Sequence, residues 1–508
     1  MKKASQRYLQ FWLQYLEANR FNWQAIQTEF EQINRAWDLL TGYEDTFRDD
    51  LIIRFVNLLQ EHLEYQGVWK TGYIPWLEAA LAIARKRGAK YIEFSSLNNL
   101  GAGYTDLGEV EKAEKYLEEA LSIANVLDDK DCLVSVTNNL GVLYYQTGRR
   151  QETLIQLEAA YALSIEQNNA KSAHVLNNLG STFQSLGQID RAIECFRKAL
   201  DIHEKNQDRS GVSASLNSLG ILFAETGDWK TACSYLESAL NLRRQIGDRS
   251  HEATTLSNLG RVHARLANFD QAIAFFESAI TIQNDIGDKL SAASTLSSMG
   301  NLYRQLHRWD AAERYLKEAI YIHKQIGDKA GEAEALNNLG LIHRALEQNE
   351  MALVCYQEAL ELHRIVGDKN GEASTLNNIG VLHRVKQEYD LALQIYAQVL
   401  QLRRELKDRS GEAITLNNMG RIFRLTNQID LAMQYYQNSL SLLMEVGDRT
   451  HEAAILSNIA MLHIEAENWE QAQAHLSKAV AIDQTLGLPT LEEDLQALEW
   501  VKKRGQGG

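Results

Sequence analysis

Residues 251–289 read HEATTLSNLGRVHARLANFDQAIAFFESAITIQNDIGDK. In the first part, Leu256, Leu259, His263 and Leu266 follow one another at steps of three, four and three. That spacing places them in one stripe on a helix and predicts a buried face. In the second part, Ala272, Phe276, Ala279 and Ile280 form another helical stripe. A short polar turn, Ala267–Asn268, separates the two parts, with Asp270 as the expected N-cap of the second helix. The segment closes on Gly287-Asp288. A glycine just past a helix end takes the left-handed conformation readily, and the aspartate after it can cap the next helix. The stretch therefore reads as one helical hairpin with small residues, Gly260 and Ala272, where the two helices approach each other.

The hairpin is repeated along the chain. Asn-Asn-Leu-Gly occurs at 98–101, 138–141, 177–180 and 337–340, and close variants end at Gly220, Gly260, Gly300, Gly380, Gly420 and Ala460. The spacing is 40 residues, once 39, so that ten units fill residues 90–487. Each unit can bury its apolar stripe only against a neighbour, so the fold is an all-α solenoid of stacked helix pairs. Gly-Asp closes the units at 247–248, 287–288, 327–328, 367–368 and 447–448. Glu252, Glu332, Glu372, Glu412 and Glu452 follow in the first turn of the next helix, where a carboxylate complements the helix dipole.

The small-large-small spacing of Gly260, Ala272, Phe276 and Ala279 resembles the tetratricopeptide repeat (TPR). The 40-residue form with Leu-Asn-Asn-Leu-Gly and a Gly-Asp-Arg turn is similar to the repeats of kinesin light chains and of the Leu-Gly-Asn-repeat adaptors. The resemblance implies a right-handed α-α superhelix. The proline usual near the end of the second helix is replaced here by Gly-Asp. Residues 51–89 read as a degenerate repeat, because Leu77, Ala80 and Leu81 stand 40 residues before Leu117, Ala120 and Leu121. Residues 1–50, rich in aromatics, read as an N-terminal helical cap, and residues 488–508 as a C-terminal helix and tail. The runs WQAIQTEFEQINRAWDLL and GVWKTGYIPWLEAALAIA also resemble the segment that joins the ATPase core to the repeat arm in bacterial signal-transduction ATPases of the STAND, NB-ARC type. No G-x-x-x-x-G-K-[S/T] phosphate loop is present, so that resemblance implies a ligand-sensing regulatory arm without its ATPase domain.

Composition narrows the function. The chain has 508 residues, a formal charge of −15 and only two prolines, Pro75 and Pro489, so no linker divides it. The negative charge disfavours nucleic acid and acidic membranes as partners. No apolar run reaches the ~20 residues that span a bilayer. The N-terminus lacks an apolar signal core, and the expected location is cytoplasmic. Cys132, Cys195, Cys233 and Cys355 are widely spaced and form no metal pattern. His-Glu at 251 and 451 lacks the second histidine of a zinc-protease motif, and no G-x-S-x-G is present. His263, His343, His383 and His463 stand where other units carry Tyr or Phe and read as packing residues rather than ligands. We expect neither catalysis nor a cofactor.

Helical geometry puts a second set of residues off the core stripe of the first helices. One ladder is asparagine: Asn99, Asn139, Asn178, Asn258, Asn338, Asn378, Asn418 and Asn458, each preceded in most units by another, as at Asn337, Asn377 and Asn417. An amide offers both donor and acceptor, so a row of them can hold a peptide backbone; it can equally tie neighbouring helices together. In kinesin light chains and O-linked sugar transferases, matching asparagines hold an extended peptide in the concave groove, and the resemblance implies the same here. The other ladder is arginine: Arg304, Arg344, Arg384 and Arg424, joined on the same face by Arg261, Arg265 and Arg421. The equivalent N-terminal positions carry Asp106 and Glu225. Guanidinium groups suit bidentate pairing with carboxylate or phosphate. The expected ligand is an acidic peptide segment, with pairing to acids on the second helices as the alternative.

Overall fold

The computed structural model describes residues 2–19, 29–41, 49–56, 58, 73–166 and 171–505, and every regular element among them is an α-helix. By Cα packing, Met1–Ser278 and Ala279–Gly508 are two compact units. Each is built from successive helix pairs. In the unit of residues 329–366, for example, Lys329–Ala345 pairs with Asn349–Val366.

The pairing follows from side-chain size. A Cβ added at Gly340 would lie 2.5 Å from the ring of Tyr356, and one at Gly260 would lie 2.7 Å from that of Phe276. Only glycine lets the large residue of the second helix lie flat on the first. Ala352 and Ala359 flank Tyr356, and all three are fully buried.

Two turns alternate. Between units, Gly247, Gly327, Gly367 and Gly447 take φ near +74° and cap the second helix. The amide of Asp328 bonds back to the His323 carbonyl at 2.9 Å, the closure of a Schellman-type cap. Asp248, Asp288, Asp328, Asp368 and Asp448 then accept from the amides of His251, Ser291, Gly331, Gly371 and His451. Glu372 and Glu412 receive Arg364 and Arg404 from the preceding helix at 2.6 and 2.7 Å. Within units, the turn residue has positive φ whatever its type: Gly108, Gly148, Gly187 and Gly227, but also Ala267, His307, Glu347 and Gln387. Asp270 is not an N-cap. It lies inside Phe269–Asp285, where its charge faces the helix N-terminus.

The ends of the array are covered. Leu9, Trp12, Leu16, Ile33, Trp37 and Leu40 of the N-terminal helices share one core with Trp76, Leu77 and Leu97. Trp37 stacks on Trp76 with ring centroids 4.5 Å apart. At the other end, Leu498 and Val501 of Leu491–Gly505 pack on Ala460, Leu476 and Val480. Phe21, Trp23 and most of the GVWKTGYIPW run lie outside the described residues.

Candidate functional site: the exposed face of the first helices

The asparagine ladder is a ladder of hydrogen bonds. The second asparagine of one unit donates its Nδ2 to the Oδ1 of the first asparagine in the unit before. Asn139 reaches Asn98 at 3.1 Å and Asn178 reaches Asn138 at 2.8 Å. Asn378, Asn418 and Asn458 reach Asn337, Asn377 and Asn417 at 3.0, 2.9 and 2.9 Å. Asn258 approaches Asn217 at 3.5 Å, and Ser215 donates to Asn177 at 3.1 Å. The helical wheel places these residues off the leucine stripe, but adjacent first helices close over them. Asn98, Asn99, Asn217 and Asn418 are buried, and Asn139, Asn178, Asn258, Asn337, Asn338, Asn377, Asn378, Asn417 and Asn458 are half-buried. Each bond uses one acceptor of the first amide and one donor of the second. The first has its Nδ2 left and the second its Oδ1, and in one unit these two approach each other, Asn138 Nδ2 to Asn139 Oδ1 at 3.5 Å.

The arginines divide. Arg261, Arg265 and Arg421 are exposed, while Arg304, Arg344, Arg384 and Arg424 are half-buried. Arg424 is paired with Glu465 at 2.7 Å, an acid at the end of the next first helix rather than on a second helix. Among the described residues, no acid pairs with Arg304, Arg344, Arg384 or Arg421, and the Nε of Arg384 is buried with no hydrogen-bond partner. Burial, and after it the charge of Arg344, holds the Arg304 guanidinium below its ordinary range. Arg421 is shifted the same way, by desolvation of its guanidinium although the side chain as a whole is exposed, and by the charges of Arg384 and Arg424.

Three tyrosines that the sequence analysis did not single out complete this face. Tyr356, Tyr396 and Tyr436 are the large residues lying on Gly340, Gly380 and Gly420. Their rings are fully buried, and their hydroxyls are buried without a partner. Burial pushes the Tyr356 and Tyr396 hydroxyls up to about 12, against the pull of the nearby arginines. Arg304 and Arg344 act on Tyr356; Arg384, Arg421 and Arg344 act on Tyr396; Arg424, Arg421 and Arg384 act on Tyr436. The signal in the sequence is a pairing within units. Tyrosine replaces the Phe276 or Leu476 of other units where the first helix carries Arg344, Arg384 or Arg424, whereas the unit of Arg304 carries Leu316.

Of the four histidines read as packing residues, His463 stacks on His475 with ring centroids 5.3 Å apart. His343 Nδ1 lies 2.7 Å from Gln348 Oε1 and His383 Nδ1 lies 2.5 Å from Glu388 Oε2, bonds that hold the turn into the second helix. His263 packs against Phe275.

The family model for the tetratricopeptide repeat matches residues 92–166, 132–205, 211–285, 291–365 and 371–445. The chain belongs to the tetratricopeptide repeat family. Among solved structures with similar repeats, BtubC (BKLC) from P. vanneervenii is 25% identical, covering 44% of this chain and 92% of that one, with a TM-score of 0.38. The STAND protein with a tetratricopeptide repeat sensor from Pyrococcus horikoshii is 14% identical over 75% of this chain and 57% of that one, with a TM-score of 0.52. That likeness is one of fold. A Rap protein complexed with competence and sporulation factor is 13% identical over 72% of this chain and 99% of that one, with a TM-score of 0.48. A search of curated proteins returns no match. Tetratricopeptide repeats form interaction scaffolds, and no helix among the described residues is long and apolar enough to cross a membrane.

Proposed function

We propose that this tetratricopeptide repeat protein is a scaffold that holds an extended, acidic peptide along the first-helix face of residues 289–425. Arg304, Arg344, Arg384 and Arg421 pair with the acidic side chains of the ligand. The Nδ2 of Asn337 and Asn377, with the Oδ1 of Asn338 and Asn378, meet its backbone. Arg261 and Arg265 offer the same chemistry on residues 249–265.

The observation that carries this reading is the row of arginines without acid partners. Like charges gathered on a half-buried surface repel one another, and the repulsion is relieved when an anion binds. The protein is strongly acidic overall, yet this face carries a concentration of guanidinium groups. An acidic segment is thereby discriminated from neutral and basic ones.

Fluorescein-labelled glutamate-rich peptides of random sequence, compared with lysine-rich ones, test the proposal by anisotropy. The acidic pool is expected to bind with an affinity that falls as salt rises. The variant carrying Arg304→Gln, Arg344→Gln, Arg384→Gln and Arg421→Gln should lose at least about ten-fold, since each charged pair contributes on the order of 1 kcal/mol. Equal binding by both proteins, with circular dichroism showing both folded, would sink it.

A further inference from the structure

A second site, unrelated to the peptide-binding reading, lies where the unit of residues 171–205 meets the next one. We propose that His174 and His203 bind a divalent metal ion there, with Asp208 fixing the orientation of His203.

His203 occupies the last turn of Ile189–Lys205 and is 2% exposed. Its Nδ1 lies 2.7 Å from Asp208 Oδ2. A carboxylate at that distance keeps the hydrogen on Nδ1 and leaves the lone pair on Nε2. That Nε2 is buried and meets no donor. An imidazole held from behind by a carboxylate, with its other nitrogen bare, is the arrangement of a metal-binding histidine. Asp208 is itself fixed, because its Oδ1 accepts from the amide of Gly211 at 3.0 Å as the cap of the next helix.

His174 supplies the second imidazole. It lies on Ser172–Ser185, is exposed, and its ring stands edge-on to His203 with centroids 5.0 Å apart. A ring nitrogen of each histidine and a carboxylate oxygen of Asp208 lie within 4.8 Å of one another. Binding requires the exposed His174 side chain to turn so that its nitrogen and His203 Nε2 both come to the ~2 Å of a metal bond. Repeat symmetry explains the meeting. His174 stands three residues before Asn177, and Ser374, three before Asn377, likewise meets the last turn of its own second helix, accepting from Arg403 at 2.9 Å.

The repeats also show what is special here. His323–Asp328 and His363–Asp368 lie equally close, at 2.8 and 2.9 Å, but there it is Nδ1 that is buried without a hydrogen-bond partner, and Ser294 and Glu334 stand where His174 would be. Nitrogen donors beside a carboxylate suit Zn²⁺ or Co²⁺, with water completing the shell.

The test is titration of the tag-free full chain with Zn²⁺ by calorimetry and with Co²⁺ by visible absorption. One equivalent is expected to bind. His174→Ala removes an exposed side chain, so the fold is retained, and affinity should fall by at least about ten-fold, the loss typical even of a supporting residue. His251→Ala, which removes an exposed histidine 2.9 Å from Asp248 but with no second imidazole, should bind as wild type does. A wild-type chain that takes up no ion, or a His174→Ala chain that binds as tightly, overturns the proposal.

Discussion

At the scale of single residues, the same side chains serve stacking and recognition. Asn337 accepts from Asn378 at 3.0 Å and from Thr375 at 3.3 Å, and what its amide has left is a fixed donor. A ligand meeting such an amide finds it already oriented, and less rotamer entropy is lost on binding. The structural share can be measured. Asn337→Ala and Asn378→Ala should each cost about 1 kcal/mol in urea unfolding, and the double variant should cost less than their sum, with a coupling of roughly 0.5–1.5 kcal/mol. Strict additivity would mean that the bond contributes nothing to stacking. The tyrosines show another compromise. A leucine or phenylalanine fills the same notch in other units, so the hydroxyls of Tyr356, Tyr396 and Tyr436 are not needed for packing.

At the scale of the element, the turns are better designed between units than within them. The inter-unit turn uses glycine at its left-handed position in Gly247, Gly327, Gly367 and Gly447, though Asp128, Gln207 and Lys407 hold it in three others. The intra-unit turn asks the same conformation of His307, Glu347, Gln387, Asn427 and Glu467. A side chain there crowds the backbone, at roughly 1–2 kcal/mol, which the flexibility of glycine in the unfolded chain partly offsets. Glu347 is exposed, so Glu347→Gly should raise stability by about 0.5–1 kcal/mol. A shift of the urea midpoint in the other direction would show that Glu347 is held by something other than its backbone. Gly108, Gly148, Gly187 and Gly227 already carry the favoured residue.

At the scale of the whole molecule, protonation couples distant units to one solution variable. His203, His263 and His463 all sit below the ordinary histidine range, chiefly through burial. Each binds its proton less readily in the folded chain than in the unfolded one. The unfolded state therefore takes up more protons as pH falls below about 6.5, and stability declines with it. Urea midpoints should drop from pH 7.5 to pH 5.5, values chosen at roughly one unit on either side of the free histidine. His263→Tyr, the residue type that other units place there, should reduce the slope. An unchanged slope would assign the pH response to other groups.

Much of this molecule is local and therefore legible in the chain. The 40-residue period, the Gly-Asp turns and the glycine beneath each large residue are interactions within a hairpin or across one junction, so residue type and spacing along the chain determine them. The arginine row was legible for the same reason, since residues one repeat apart fall on one face. What the tertiary structure decided are the contacts that run between neighbouring helices at right angles to the chain. It turned two rows of asparagines, read as holding either a peptide or neighbouring helices, into bonds from Asn378 to Asn337 and from Asn458 to Asn417. It placed the tyrosine hydroxyls beneath the arginines, paired Arg424 with Glu465 and set His174 beside His203. A periodic pattern states which way a side chain points from its own helix; the partner it meets depends on the offset of the next helix, and only packing sets that offset.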